Sequence, residues 1–137
     1  MHLEKFELSD MRVFQKLTWD ITRSTQNLAG WHVLLGENGS GKSSILRALA
    51  LALTGPQQAA ASRVELARLV RAGEKSAEIK LHVRQDKSRD FWSETGRQLK
   101  GDSFSISVQV GSDGSITKGA SANTANRTLW GEGFCLA

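Results

Sequence analysis

The chain has 137 residues, 39% of them hydrophobic and 23% charged, with a formal net charge of +4. That length suits one domain with a buried core, and no apolar run is long enough to cross a bilayer as a helix. Cys135 is the only cysteine, so no intrachain disulfide can form. The opening Met1-His2-Leu3-Glu4-Lys5 lacks the apolar run of a secretory leader, and a reducing cytoplasm is the expected setting.

Residues 2–9 read as a first strand with imperfect alternation. Gln15 to Thr22 reads as a second, with Leu17, Trp19 and Ile21 on one face. Ser9 to Phe14 is expected to join them as a hairpin, with Asp10 as a turn residue. A polar loop, Arg23 to Gly30, then leads to Trp31-His32-Val33-Leu34-Leu35. This run is short, apolar and bounded by a glycine, as a buried parallel strand should be.

Directly after it comes Gly36-Glu37-Asn38-Gly39-Ser40-Gly41-Lys42-Ser43, with Ser44 behind it, which fits the phosphate-loop pattern G-x-x-x-x-G-K-[ST]. A phosphate chain needs backbone N–H groups curled around it at close range, and glycines at 36, 39 and 41 permit that backbone. A following helix, with apolar residues at 45, 46, 49 and 53, would add unpaired N–H donors and the positive end of its dipole. Lys42 is expected to reach the β- and γ-phosphates of a nucleotide such as ATP. Ser43 is expected to take one Mg²⁺ position, and Ser44 to donate to the α-phosphate. Glu37, Asn38 and Ser40 complete the cradle. Glu37 occupies a variable position of the motif, so its carboxylate need not face the γ-phosphate.

The helix is expected to stop at Thr54-Gly55-Pro56, with Gln57 to Ala61 as a mobile connection. Ser62-Arg63-Val64-Glu65 resembles a capping box opening a short amphipathic helix through Val64, Ala67, Leu69 and Val70, ended by Gly73. Ala77 to Arg84 and Phe104 to Val110 alternate with period two, so each should bury one face and wet the other. Phe91 to Thr95 is a weaker strand candidate. Gly111 to Gly114 reads as a turn, Ser115 to Thr117 as a returning strand, and Lys118 to Arg127 as a flexible loop. Leu129 to Ala137 turns apolar again, and the chain reads as the front part of something larger.

Charge is uneven. Residues 63–100 hold ten Lys/Arg against six Asp/Glu, whereas residues 1–62 hold six against five and residues 101–137 two against three. The basic middle segment is compatible with nucleic-acid contact, though such a bias is more often an ordinary solvated face. His2, His32 and His82 lie far apart without companion cysteines, which favours structural histidines over metal ligands.

A hairpin, a strand running into Asn38-Gly39-Ser40-Gly41-Lys42-Ser43-Ser44, a helix and an antiparallel meander resemble the N-terminal lobe of the SMC-like and RecF-like ABC-type ATPases. The resemblance implies an α/β P-loop NTPase lobe with an antiparallel β meander, truncated before its Walker B half. Residues 1–56 would form the hairpin, loop strand and helix, 57–76 a connection, and 77–137 the meander. The turn Met11-Arg12-Val13-Phe14 matches an aromatic or basic cluster of that group, and Arg12 is carried over as a contact to the nucleotide phosphates. Trp130-Gly131-Glu132-Gly133-Phe134 resembles a strand lead-in of prokaryotic defence and repair ATPases, such as those paired with a nuclease.

The resemblance implies ATP and Mg²⁺ as ligands, a homodimer or higher oligomer, and DNA and a nuclease or other effector as partners, with no membrane. It also implies parts not seen here: four apolar residues followed by Asp-Glu, and a Leu-Ser-Gly-Gly-type signature. No Q-loop glutamine can be assigned, because Gln85, Gln98 and Gln109 look like wet-face residues of the meander. The expectation is therefore binding without turnover by this chain, and hydrolysis by a longer protein driving DNA repair or anti-phage defence. A transporter nucleotide-binding subunit, a small-molecule kinase and a nucleotide-binding module without catalysis stand as alternatives.

Overall fold

The structure, a computed structural model, describes residues 2–22, 30–61, 65–86 and 102–119. Its frame is a five-stranded antiparallel sheet in the order β2-β1-β3-β4-β5. The strands are β1 (His2–Met11), β2 (Phe14–Asp20), β3 (Ser76–Arg84), β4 (Ser103–Gly111) and β5 (Ile116–Lys118). One helix, α1 (Lys42–Ala61), crosses one face of the sheet.

Alternation decides which face is covered. Phe6 and Leu8 of β1, Ile79 and Leu81 of β3, and Ile106 and Val108 of β4 are all buried in one cluster with Ala48, Leu51 and Ala52 of α1. Alanines at 48 and 52 recur at helical spacing and let the helix backbone lie close to the sheet. Leu17 and Trp19 of β2 pack against the same cluster, half-buried, as expected of an edge strand.

The imperfect pattern of β1 has a cause. The register against β3 shifts between Leu3 and Lys5, so Leu3 and Phe6 reach the core face although they are an odd number apart. A second break follows: Asp10 lies in the left-handed region at φ 52, which brings Met11 to the core after Leu8. The β1–β2 turn is tighter than the sequence suggests. Met11 pairs with Phe14, leaving Arg12 and Val13 as the turn and Asp10 in the strand.

Four expectations are corrected. Trp31 to Leu35 is not a strand of the sheet, and Trp31, Val33 and Leu35 are 99%, 74% and 88% exposed. Its apolar run matches a strand flanked by neighbours on both sides, and no described residue pairs with it. Gly55 does interrupt α1, at φ 83, but Pro56 to Ala61 continue as helix and bury Ala59, so 57–61 is no loose connection. The expected amphipathic helix is a 3₁₀ turn, Leu66–Leu69, that buries Leu66 and Leu69. Val70 instead bridges Met11 of β1, and residues 62–64 of the capping box lie outside the described residues. Finally, the wet face of β4 is partly sealed. Ser107 is fully buried, donates to Glu78 Oε1 at 3.1 Å, and its carbonyl accepts from the N–H of Gly119. Gln85 is buried too, whereas Gln109 is exposed as expected.

Gln98, Phe91 to Thr95 and Leu129 to Ala137 lie outside the described residues. Among the described residues, no helix is long and apolar enough to cross a membrane.

The open face of the sheet carries a charged ladder. Lys5 bridges Glu7 at 2.8 Å and Lys80 bridges Glu78 at 3.0 Å. His82 Nε2 lies 2.9 Å from Glu7 Oε2, and its Nδ1 lies 2.9 Å from Ser105 Oγ. The Lys5 hydrogen bond, helped by His82 and opposed by partial burial, holds the Glu7 carboxyl below its ordinary value of 4.5.

Two outcomes follow from this packing. Removing the Ile106 side chain down to alanine should cost about 2–5 kcal/mol, and Ser107→Asp should also destabilise, because a carboxylate would replace a sealed hydroxyl. Gln109→Ala should stay within about 0.5 kcal/mol. Urea unfolding ranks the three, and a mild Ser107→Asp would mean that the Gly119 segment does not cover β4. Because the folded Glu7 pKa is depressed, its stabilising contribution is present above pH 4.5 and fades as pH falls below it. Glu7→Gln should flatten that acid limb in melts taken from pH 6 to pH 3; an unchanged limb would remove Glu7 from the account.

Candidate phosphate-binding site

The loop between residue 35 and α1 is built by turns rather than by side-chain packing. The Ser40 N–H donates to the Glu37 carbonyl at 3.2 Å. Gly39 and Gly41 follow at φ 85 and φ 97, a region that disfavours side chains. The Gly41 carbonyl then accepts from the N–H groups of Ser44 at 2.9 Å and Ile45 at 3.0 Å, which starts α1. The N–H groups of Lys42 and Ser43 precede any intrahelical acceptor and stay available to a ligand. No acidic side chain stands in the first turn to neutralise the positive end of the helix.

Lys42 spans the mouth of this loop. Its Nζ donates to the carbonyls of Gly36 and Glu37, both at 2.7 Å, and lies 3.5 Å from Ser40 Oγ. These bonds would be exchanged for phosphate oxygens when an anion enters the loop. Residues 36–40 are exposed and Ser43 is exposed, whereas Ser44 is 4% exposed. Ser43 is thus open to solvent, while Ser44 is buried in the fold. Among the described residues no group of His, Cys, Asp or Glu could itself hold a metal ion. A Mg²⁺ here would rest on the Ser43 hydroxyl and on the phosphates of the ligand. The open cradle and the Lys42 ammonium fit a phosphate chain.

The hairpin tip reaches the same loop. A Cβ on Gly41 would lie 2.5 Å and 2.6 Å from the Phe14 ring and 2.8 Å from Val13 Cγ2, so both side chains rest on the backbone at Gly41. Arg12 belongs to that tip, at φ 49 and half-buried, and its buried Nε makes no hydrogen bond among the described residues. On the other side of the lead-in, the His32 ring meets Trp19 edge-on at 5.3 Å. The structure brings the loop residues and the Arg12 turn together.

One neighbour was not visible in the sequence reading. The segment 69–71 lies against the hairpin tip, with Arg12 N–H donating to Leu69 O at 3.0 Å and Arg71 N–H to Asp10 O at 2.8 Å. Arg71 Nη1 adds a 3.1 Å bond to the Val13 carbonyl and a 3.4 Å bond to the Arg12 carbonyl. The amphipathic-helix reading of residues 64–70 hid this contact, because it placed Val70 on a helix face.

A strand hairpin, a glycine-rich loop opening a helix, and an antiparallel meander over that helix make a fold shared with solved SMC ATPase and RecF structures. Two solved structures share it: an SMC ATPase studied for ATP-driven dimerisation and DNA-stimulated activation, and the recombination mediator RecF with ATP. The first aligns with TM-score 0.66 at 21% identity, over 94% of this chain and 75% of that one. The second aligns with TM-score 0.59 at 15% identity, over 88% and 27%. The chain belongs to the AAA domain family, which matches residues 5–130. It is also 46% identical over 56 residues to the Septu protein PtuA of Bacillus mycoides (strain KBAB4), a match covering 41% of this chain and 8% of that protein's length.

The Gly41 contact can be separated from backbone strain alone. Gly39 shares the left-handed backbone but has no neighbour within 4 Å of an added Cβ. Gly39→Ala should therefore cost about 1–2 kcal/mol, and Gly41→Ala about 1–3 kcal/mol more, from overpacking against Phe14 and Val13. Equal losses in chemical denaturation would mean that the hairpin tip does not press on the loop.

Proposed function

We propose that the chain binds ATP or ADP with Mg²⁺ through Gly36 to Ser44 and forms the phosphate-binding part of an ATPase. The observation that carries this reading is the Lys42 ammonium held across an exposed, turn-built loop at the start of α1. Lys42 would turn from the Gly36 and Glu37 carbonyls to the β- and γ-phosphates. The loop N–H groups would wrap the phosphates and Ser43 would take a Mg²⁺ position; Ser44 would serve the α-phosphate side by releasing its N–H from the Gly41 carbonyl, since its side chain is buried. Arg12, on the tip resting against the loop, would add positive charge near the phosphates. Bound Mg²⁺ would neutralise developing charge on the phosphoryl oxygens.

Hydrolysis needs more than this. No apolar run of the chain ends in Asp-Glu, and Glu37 is the one acid in the loop. The chain is therefore proposed to bind nucleotide without turnover, while a longer protein hydrolyses ATP as a dimer or higher oligomer. A DNA-associated role in repair or anti-phage defence, with a nuclease or other effector as partner and no membrane, is supported by similarity. The supports are the Septu protein match, the Trp130–Phe134 resemblance and the fold shared with an ATPase that dimerises with ATP and is stimulated by DNA. A cytoplasmic setting accords with the lone cysteine.

Titration calorimetry with Mg-ADP tests the binding. Lys42→Ala removes a charge-assisted interaction, so affinity should fall about tenfold or more, and equal affinity would remove the assignment. Phosphate release by the wild-type chain with Mg-ATP should stay at background; turnover that Lys42→Ala abolishes would reveal a catalytic acid within these residues.

A further inference from the structure

The hairpin tip is held in a shape its own sequence does not favour. Asp10 and Arg12, on either side of Met11, both adopt left-handed backbone, at φ 52 and φ 49. L-residues other than glycine take that conformation at a cost, and it persists only where surroundings over-determine it. Here the surroundings are the last residue of the 3₁₀ turn and the two that follow it. Met11 bridges Val70, the Arg12 N–H is bound by the Leu69 carbonyl, and the Asp10 carbonyl is bound by the Arg71 N–H. Leu69 and Met11 are fully buried, so this pairing is anchored in the core.

Arg71 then reaches past the backbone pairing. Its Nη1 donates to the carbonyls of Val13 and Arg12, the two residues of the turn. Val13 and Phe14 in turn press on Gly41, the residue whose carbonyl starts α1. A chain of contacts thus runs from Arg71 through the turn to the phosphate loop. A guanidinium suits this task, since it stays charged and offers several donors in one plane, whereas an ammonium on a flexible stem is less directional.

We propose that Leu69 to Arg71 is a strap that clamps the hairpin tip onto the phosphate loop, with Arg71 as a positioning residue for nucleotide binding. It rests on the reading of Gly36 to Ser44 as the nucleotide site. Arg71 acts through the Val13 carbonyl and the Phe14 contact with Gly41, and it holds Arg12 at the same edge. Loss of its side chain leaves the backbone pairing but removes the bonds to the Val13 and Arg12 carbonyls, so the turn loosens and its contact with Gly41 slackens.

The test is a titration of the 137-residue chain with fluorescent methylanthraniloyl-ADP and Mg²⁺, beside thermal melts of each variant without nucleotide. Arg71→Ala should weaken binding roughly 3- to 10-fold, the range of coupling passed through packed neighbours, and Arg71→Lys should recover part of it. Phe14→Ala should weaken binding similarly, and the double variant should be little worse than either, because both break one contact chain. Losses that multiply would overturn the positioning role and place Arg71 directly on the phosphates. Unchanged affinity in Arg71→Ala, with Lys42→Ala still impaired, would overturn the strap alone; unchanged affinity in Lys42→Ala would overturn the site and the strap with it. If Arg71→Ala does not fold, Arg71→Lys decides: weaker binding at an unchanged melting temperature supports the strap, and wild-type binding overturns it.

Discussion

Everything at the loop depends on how closely α1 lies on the sheet. The contact is asymmetric: β1, β3 and β4 present large side chains such as Phe6, Leu81 and Ile106, and the helix answers mainly with Ala48, Ala52 and, past the kink, Ala59, beside one larger buried residue, Leu51. Small residues on the helix leave few rotamers to adjust, so the helix axis has little freedom to roll. That fixes the direction in which the first turn of α1 points. The phosphate loop is exposed and makes few packing contacts of its own, and its geometry is inherited from this interface and from the hairpin tip at Gly41.

Polar groups are distributed to match. The core face holds almost no charge, while the opposite face carries Lys5, Glu7, Glu78, Lys80 and His82 as cross-strand and near-neighbour partners. Such exposed pairs add little stability one by one. Their effect is on register: a slip of one residue would send Glu7 and His82 into the apolar cluster. The loop follows the reverse logic, with a cation, backbone donors and a helix end that its own first turn leaves without a carboxylate. Charge is balanced where the sheet must be specified and left unbalanced where an anion is to be received.

The sheet was largely legible because period-two alternation reports one buried face. Ala77 to Arg84 and Phe104 to Val110 appear within a residue of their expected limits. The loop was legible because few sequences satisfy its spacing between an apolar run and a helix. What escaped detection depends on residues distant in sequence. Nothing in Ser107 announces that Gly119 will fold over it, and nothing in Arg71 announces two carbonyls at the far end of a hairpin. Residues 31–35 were misread for a related reason. Their apolarity reports neighbours on both sides, and periodicity says nothing of which segment provides them.

Those five residues also govern how the chain behaves towards other molecules. Trp31, Val33 and Leu35 stand exposed, and Leu46 and Leu53 of α1 are open as well. A segment that no described residue pairs with, with exposed apolar side chains and no Lys or Glu from Trp31 to Leu35, is a template on which a strand of like pattern can add. Copies of the chain share that pattern, so self-association through this segment should rise with concentration. The stretch that carries the phosphate loop is therefore also the surface most prone to find an unintended partner.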